Sequence, residues 1–361
     1  MPEARARGRW VLGLAVAATL LVAAGWTVAI ADLRGQDRGA APPPPPQPVG
    51  RTVRSQLLDP RSKSTAYLDD AALSFLRPLR GESGKLRAAF RLPGSDLADE
   101  ADPRMRALFE QETTGAVVPS AGQVPGEAGV YKIAVEIDKA RRAIDDLRLI
   151  TLKPFAEKKG EKIGLYYLGR WPFESGGTPR SRSYANPTGF IEVTRENKDT
   201  HVSEHFKLGD FLTKDQFDVW PKYLVLEPRL VDKLELVIQE LQKRGQNVKR
   251  VHVMSGFRTP RYNKSGGNTG GRANLSRHMY GDGADIFVDN DRNGNMDDLN
   301  RDGRVDAQDA RVIADAAERV EARYPALVGG IGIYRACCGH GPFTHIDTRG
   351  YRARWSGSSG G

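Results

Sequence analysis

The chain has 361 residues, 39% of them hydrophobic and 27% charged, with 39 Gly and 22 Pro. A mean hydropathy of −0.49 excludes a multi-span membrane protein, and the apolar content excludes full disorder. The formal charge of +9 favours anionic partners without choosing among nucleic acid, anionic lipid and an anionic wall polymer; the two adjacent cysteines, Cys337 and Cys338, exclude a disulfide scaffold and a four-cysteine zinc module.

Arg5, Arg7 and Arg9 precede an uncharged run from Trp10 to Ala31, closed by Asp32 and Arg34. As a helix the run is about 33 Å long, enough for a bilayer core of ~30 Å. The basic flank predicts a cytoplasmic N-terminus and an exported remainder. Residues 1–31 are thus expected to be a signal anchor or a signal peptide cleaved after Ala29-Ile30-Ala31. The protein is placed in the cell envelope, either held in the inner membrane facing the periplasm or released into it. Residues 32–60 read as a linker. Its AAPPPPPQP run, Ala40 to Pro48, is a stiff extended spacer, because proline fixes φ and lacks an amide donor.

Residues 61–125 are expected to be irregular, with one short helix over Tyr67–Leu79 whose Leu68, Ala71, Ala72, Phe75 and Leu76 share a face. Residues 126–202 read as a small β-rich unit. Its strands are predicted at Val130–Val135, Lys162–Leu168 and Phe190–Val193, with turns such as Glu174–Pro179 between them. Its basic and aromatic side chains suit either a grip on a glycan or peptide or a plain spacer.

Residues 203–355 mix α and β. A helix begins at Glu227-Pro228, carries Leu230, Leu234, Val237, Ile238 and Leu241 on one face, and stops at Gly245. A second runs from Ala310 to Tyr324, before Pro325. Strands are expected at Val248–Met254, Asp285–Val288, Ile331–Tyr334 and Phe343–Asp347. Residues 356–361 read as a flexible tail.

Two histidines stand in informative settings. His278 lies seven residues before Asp285, with glycines between that permit a tight reversal, and His345 lies in a predicted strand. Two imidazoles and one carboxylate make a three-ligand zinc set that leaves a position for water. Spacing alone also fits ordinary buried polar residues.

The motifs taken in order are more specific. Ser255-Gly256-Phe257-Arg258-Thr259-Pro260-Arg261-Tyr262-Asn263, then Ser276-x-His278-x-x-Gly281-x-Gly283-x-Asp285, then His345-x-Asp347, resemble the M15 zinc peptidase superfamily of D-Ala-D-Ala carboxypeptidases and murein endopeptidases. The likeness is to its YcbK-like (DUF882) branch, and Ser203 to Phe211 resembles the entry segment of that domain. The resemblance implies an α+β fold, with an antiparallel sheet and flanking helices over residues 203–355. It implies that His278, Asp285 and His345 bind Zn2+, and that Arg258 faces the substrate as an always-charged donor to a carboxylate or developing oxyanion. A surface or structural arginine is the plainer reading of Arg258. The implied activity is hydrolysis of peptide bonds in peptidoglycan, as endopeptidase or carboxypeptidase, with murein and the inner membrane as partners and no nucleic acid. A non-catalytic zinc-containing murein-binding module is the alternative.

The chain departs from the family at two places. Gly283 replaces the usual alanine. Pro342 and Phe343 stand where relatives carry a Glu or His base. Two residues could substitute: Asp347, on the same side of the strand as His345, as base or as support for the ligand, and His340, from the loop, as proton donor. Either could equally be structural.

A second signal is the acidic loop 289–309. Asp298, Asn300, Asp302, Arg304 (through its carbonyl), Asp306 and Asp309 take the positions of a calcium loop, with Gly303 at the sharp turn; the pattern resembles a dockerin loop. Asp289, Asp291 and Asn293, before Gly294, begin a similar frame that overlaps the first. One structural Ca2+, or two sharing ligands, or none, is open at this point, as is the state of Cys337 and Cys338: thiols, an adjacent disulfide, or pairing to a partner.

Overall fold

The computed structural model describes residues 72–73, 75–96, 105–119, 122–137, 139–179, 181–266, 272–337 and 339–357, all within the unit Thr65–Gly361. The N-terminal span, the proline-rich linker, and Tyr67 to Ala71 and Ser74 of the expected helix lie outside the described residues; the rest of that helix is helical and ends in a 3-10 turn over Arg77–Arg80. Among the described residues no helix is long and apolar enough to cross a membrane.

The first half is a five-stranded sheet, where the sequence predicted irregular chain before residue 126. It contains β1 (Ala88–Arg91), β2 (Arg106–Gln111), β3 (Val117–Pro119), β4 (Gly129–Ile137) and β5 (Ala140–Thr151), in the order β1-β5-β4-β2-β3, with β1 parallel to β5 and the other pairs antiparallel. Alternate residues serve different cores, as a period of two requires. Tyr131, Ile133, Val135, Leu147 and Leu149 pack with Leu76 and Phe109 on one side. Ala88, Phe90, Val130 and Ile150 join the main core of the C-terminal half on the other.

A three-stranded sheet follows, in the order β10-β9-β6, from β6 (Lys153–Pro154), β9 (Gly189–Val193) and β10 (Lys222–Leu224). The strand expected over 162–168 is instead a hairpin, β7 (Lys162–Ile163) and β8 (Tyr166–Tyr167). Gly164, at φ +56°, supplies the left-handed turn that reverses the chain there.

The C-terminal sheet has the order β11-β12-β14-β13-β15, from β11 (Val251–Ser255), β12 (Gly283–Val288), β13 (Gly330–Tyr334), β14 (Phe343–Asp347) and β15 (Ala353–Gly357). It is mixed rather than purely antiparallel, because β15 runs parallel to β13. Helix α1 (Pro228–Lys243) starts with proline at its first turn, where no intrahelical N–H partner is lost. The short α2 (Pro260–Ser265) is capped by the Thr259 side chain. Helix α3 (Ala307–Arg323) is capped by Asp306, and its small residues Ala310, Ala314 and Ala317 let it lie close to β13, β14 and α1.

Buried charge ties these layers together. On α1, Lys233 is fully buried; its ammonium donates to Glu321 of α3 at 2.6 Å and to the carbonyl of Asp347 at 2.7 Å. Asp232 accepts the N–H groups of Glu82 and Ser83, and Glu235 accepts those of His205, backbone and ring. A buried charge left unpaired would be strongly destabilising, so these contacts fix α1 against its neighbours.

Candidate metal centre

Three elements bring three buried side chains to one point. Asp285 lies inside β12 rather than at its start, and β12 pairs with β14 so that Asp285 stands directly opposite His345. His278 comes from a single 3-10 turn, Arg277–Tyr280, ended by Gly281 at φ +70°. A side chain on Gly281 would strike the Val225 carbonyl, so glycine is required there. The indole of Trp171 donates to the Met279 carbonyl at 2.9 Å and pins the turn.

His278, Asp285 and His345 are 3%, 4% and 6% exposed, and each offers a ligand atom within 4.8 Å of the others. Asp285 Oδ1 is 2.8 Å from His345 Nδ1 and 3.3 Å from His278 Nε2. Donors about 2.0–2.1 Å from a tetrahedral ion stand roughly 3.3 Å apart, so the spacing fits a small divalent cation. Each residue spends its other polar atom on a support. His278 Nδ1 meets the Gly256 carbonyl at 2.7 Å, His345 Nε2 meets Asp347 Oδ2 at 3.0 Å, and Asp285 Oδ2 accepts from Arg258 Nη2 at 2.6 Å. Such outer partners set the tautomer and aim of metal ligands.

Electrostatics favour a neutral His278 and a protonated His345 at neutral pH. Burial, helped by the Arg258 charge, pushes His278 down to about 4, so its imidazole is neutral. Burial acts the same way on His345, but hydrogen bonds to Asp285 and Asp347 outweigh it and carry that ring up to about 8. Burial alone would raise Asp285; its interactions with His278, the Arg258 charge and hydrogen bonds from both imidazoles hold it well below the usual carboxylate range.

The other expected site residues fall differently. Asp347 is fully buried and accepts from Gly330 N and from the Arg349 side chain as well as facing His345. Its geometry is that of a support for His345, one of the two roles open to it in the sequence. Arg258 donates Nε to Ser255 and Nη2 to Asp285, so one of its donors supports the ligand set. His340 lies outside the three-ligand group, with its ring edge against Phe343 and Nδ1 at the Gly341 carbonyl. Cys337 is disulfide-bonded. The Gly283 departure has a steric reason: a Cβ there would stand 2.9 Å from Arg277 Cβ and 3.3 Å from His345 Cε1.

The structure adds Tyr334, which the sequence reading placed in a strand without a role. It lies two residues beyond Gly332, the partner of His345, and therefore on the same face of the sheet. Its phenol accepts from Trp355 Nε1 at 2.8 Å. Burial raises its pKa, and so does the charge of Asp285. Phe343 stacks on the Tyr334 ring at 4.4 Å. Only the cross-strand register, which local pattern does not disclose, identifies this phenol.

In the acidic loop, the carboxylates that gather are Asp289, Asp291 and Asp297. Asp298 and Asp309, the first and last positions of the expected calcium frame, are bonded to backbone N–H groups instead. Comparison of the chain with protein families, with curated proteins and with solved structures returned no match.

Proposed function

We propose that residues 203–355 form a zinc peptidase domain that hydrolyses peptide bonds in peptidoglycan, as the M15 resemblance implies, on a chain held in or released into the cell envelope by its N-terminal segment. The observation that supports this reading is the divided use of each ligand: one atom on a support, the other toward the common point.

A zinc ion in that position supplies Lewis acidity toward a scissile carbonyl and makes water a nucleophile near neutral pH. The chain's own residues do the rest. His278 stays neutral and keeps a lone pair available. Asp347 orients His345, and Arg258 orients Asp285. The Tyr334 phenol keeps its proton, because burial raises its pKa, and it donates that O–H to a substrate oxygen while Trp355 occupies its lone pair. Lys214 and Arg272 lie close enough to Arg258 for its charge to depress both of them, after burial has done so. This concentration of positive charge suits a peptide substrate bearing carboxylates.

The test is digestion of purified murein sacculi by the full chain, with released muropeptides analysed by mass spectrometry. New products are expected from the zinc-loaded protein and none from His278→Ala or from chelated protein until zinc is restored. Sacculus binding with stoichiometric zinc and no products would replace the peptidase reading with the binding-module one.

A further inference from the structure

We propose that residues 289–297 form a calcium site on Asp289, Asp291 and Asp297, and that the overlapping loop 298–309 is a structural turn that holds no ion. The inference is independent of the zinc reading.

The three carboxylates each place an oxygen within 4.8 Å of the others, and the described residues contain no such group among Asp298, Asp302, Asp306 and Asp309. The decisive atom is Asp289 Oδ1. Asp289 is 1% exposed, and Oδ1 is buried without a hydrogen-bond partner, while Oδ2 accepts from Arg250 Nη1 at 2.5 Å. A buried carboxylate oxygen lacking a donor calls for an explanation, and a cation is one.

The second loop spends its carboxylates otherwise. Asp298 Oδ1 accepts from the N–H groups of Arg301 and Asp302, and Oδ2 from that of Gly303. Asp309 Oδ1 accepts from Leu299 and Asn300, and Oδ2 from Asp306, closing the cap of α3. Asp291 and Asp297 also accept backbone N–H groups, from Asn293 and Asn290; what the second loop lacks is a buried carboxylate oxygen with no partner, such as Asp289 Oδ1.

The first loop is also built as a closed cup. Asp289 follows directly on β12, Gly294 turns the chain at φ +83°, buried Met296 plugs it, and Asp297 N–H returns to the Val288 carbonyl at 2.9 Å. An all-oxygen donor set selects a hard cation over zinc. The loop has the alternate-residue spacing of Asp289, Asp291 and Asn293 before Gly294, and exposed Asp291 and Asn293 can adjust to the longer bonds and higher coordination of calcium rather than the strict octahedron of magnesium.

The experiment is calorimetric titration of the full chain, zinc-loaded and held in mild detergent, with Ca2+ alone and with Mg2+ alone. About one calcium per chain is expected, with Kd on the order of 10⁻⁴ M, the range of extracellular modules, and with magnesium weaker. Asp291→Asn, at an exposed position, should weaken binding about tenfold or more; Asp297→Asn serves as a second variant, and circular dichroism verifies both folds. Asp302→Asn should leave the affinity unchanged. Absence of calcium binding at millimolar concentration overturns the site, and magnesium binding as tight as calcium overturns the cation. Loss of an ion in Asp302→Asn overturns the assignment of the second loop.

Discussion

The candidate metal centre draws on β12 and the acidic loop follows directly on it, yet the two are organised in opposite ways. Asp285 and Asp289 both belong to the run through β12, and both are nearly fully buried. Around Asp285 every ligand atom is aimed by a partner on a different element: the Gly256 carbonyl, Asp347 on β14, and Arg258 before α2. Around Asp289 the neighbours come from the same short loop, and two of them, Asp291 and Asn293, are exposed. The difference teaches what burial contributes to a metal site. A borderline ion with few ligands is matched by atoms locked from several directions, whereas a hard ion with many ligands is matched by a loop that can adjust.

The largest effect should come from breaking the rigid side of the contrast. Asp285→Asn removes the carboxylate shared by both imidazoles and by Arg258; atomic absorption should show zinc falling from about one per chain to background, with loss of murein hydrolysis. Calcium binding in the acidic loop should persist in this variant, which separates the two sites.

A smaller effect is expected from Asp347→Asn. The amide still reaches His345 but no longer carries the charge that favours its ligand form. Zinc affinity, read by competition with a chromogenic chelator, should fall about 10- to 100-fold. An unchanged affinity would mean that the support is dispensable and that the two regions are less different than their geometry shows.

The smallest effect lies away from both candidate sites. The hydrogen bond to Glu235 raises the pKa of His205 above its ordinary value, against the opposing action of burial. A raised histidine contributes stability that is complete below about pH 6.5 and is lost as pH rises through the elevated value. His205→Gln should therefore flatten the decline in unfolding free energy between about pH 6 and pH 8.5, by less than about 1 kcal/mol because the pair is partly exposed. Denaturant melts at the two pH values measure it.

Much of the C-terminal half was legible in the sequence because its signals are local. The apolar face of α1, its proline start, and the strand at Phe343–Asp347 all follow from short-range pattern and appear as expected. The α+β class follows from the same signals, and the trio His278, Asp285 and His345 does come together. What escaped is non-local. The pairing of Asp285 with His345, the parallel placement of β15, and the sheet position of Tyr334 depend on which strands meet, and neither composition nor periodicity encodes that. The early sheet was missed because β1, β2 and β3 are short and are separated by Gly, Pro and charged residues that read as loop. The acidic loop misled in another way: both frames carry the same ligand pattern and both bond carboxylates to backbone N–H groups, and the gathering of Asp289, Asp291 and Asp297 with a buried, unpartnered Asp289 oxygen tells them apart.

The anchoring of the His278 turn by Trp171 bears on how this protein could be divided. The recognisable motifs begin near residue 203, but the indole that holds the Met279 carbonyl lies upstream, and the backbone at Gly169 approaches Arg261 so closely that a Cβ would stand 2.6 Å from its amide nitrogen. The span that carries the signature is therefore shorter than the span that must travel with it. Excision at the motif boundary would sever the brace of the His278 turn, and any shuffling of this segment between chains has to carry residues from at least Leu168 onward.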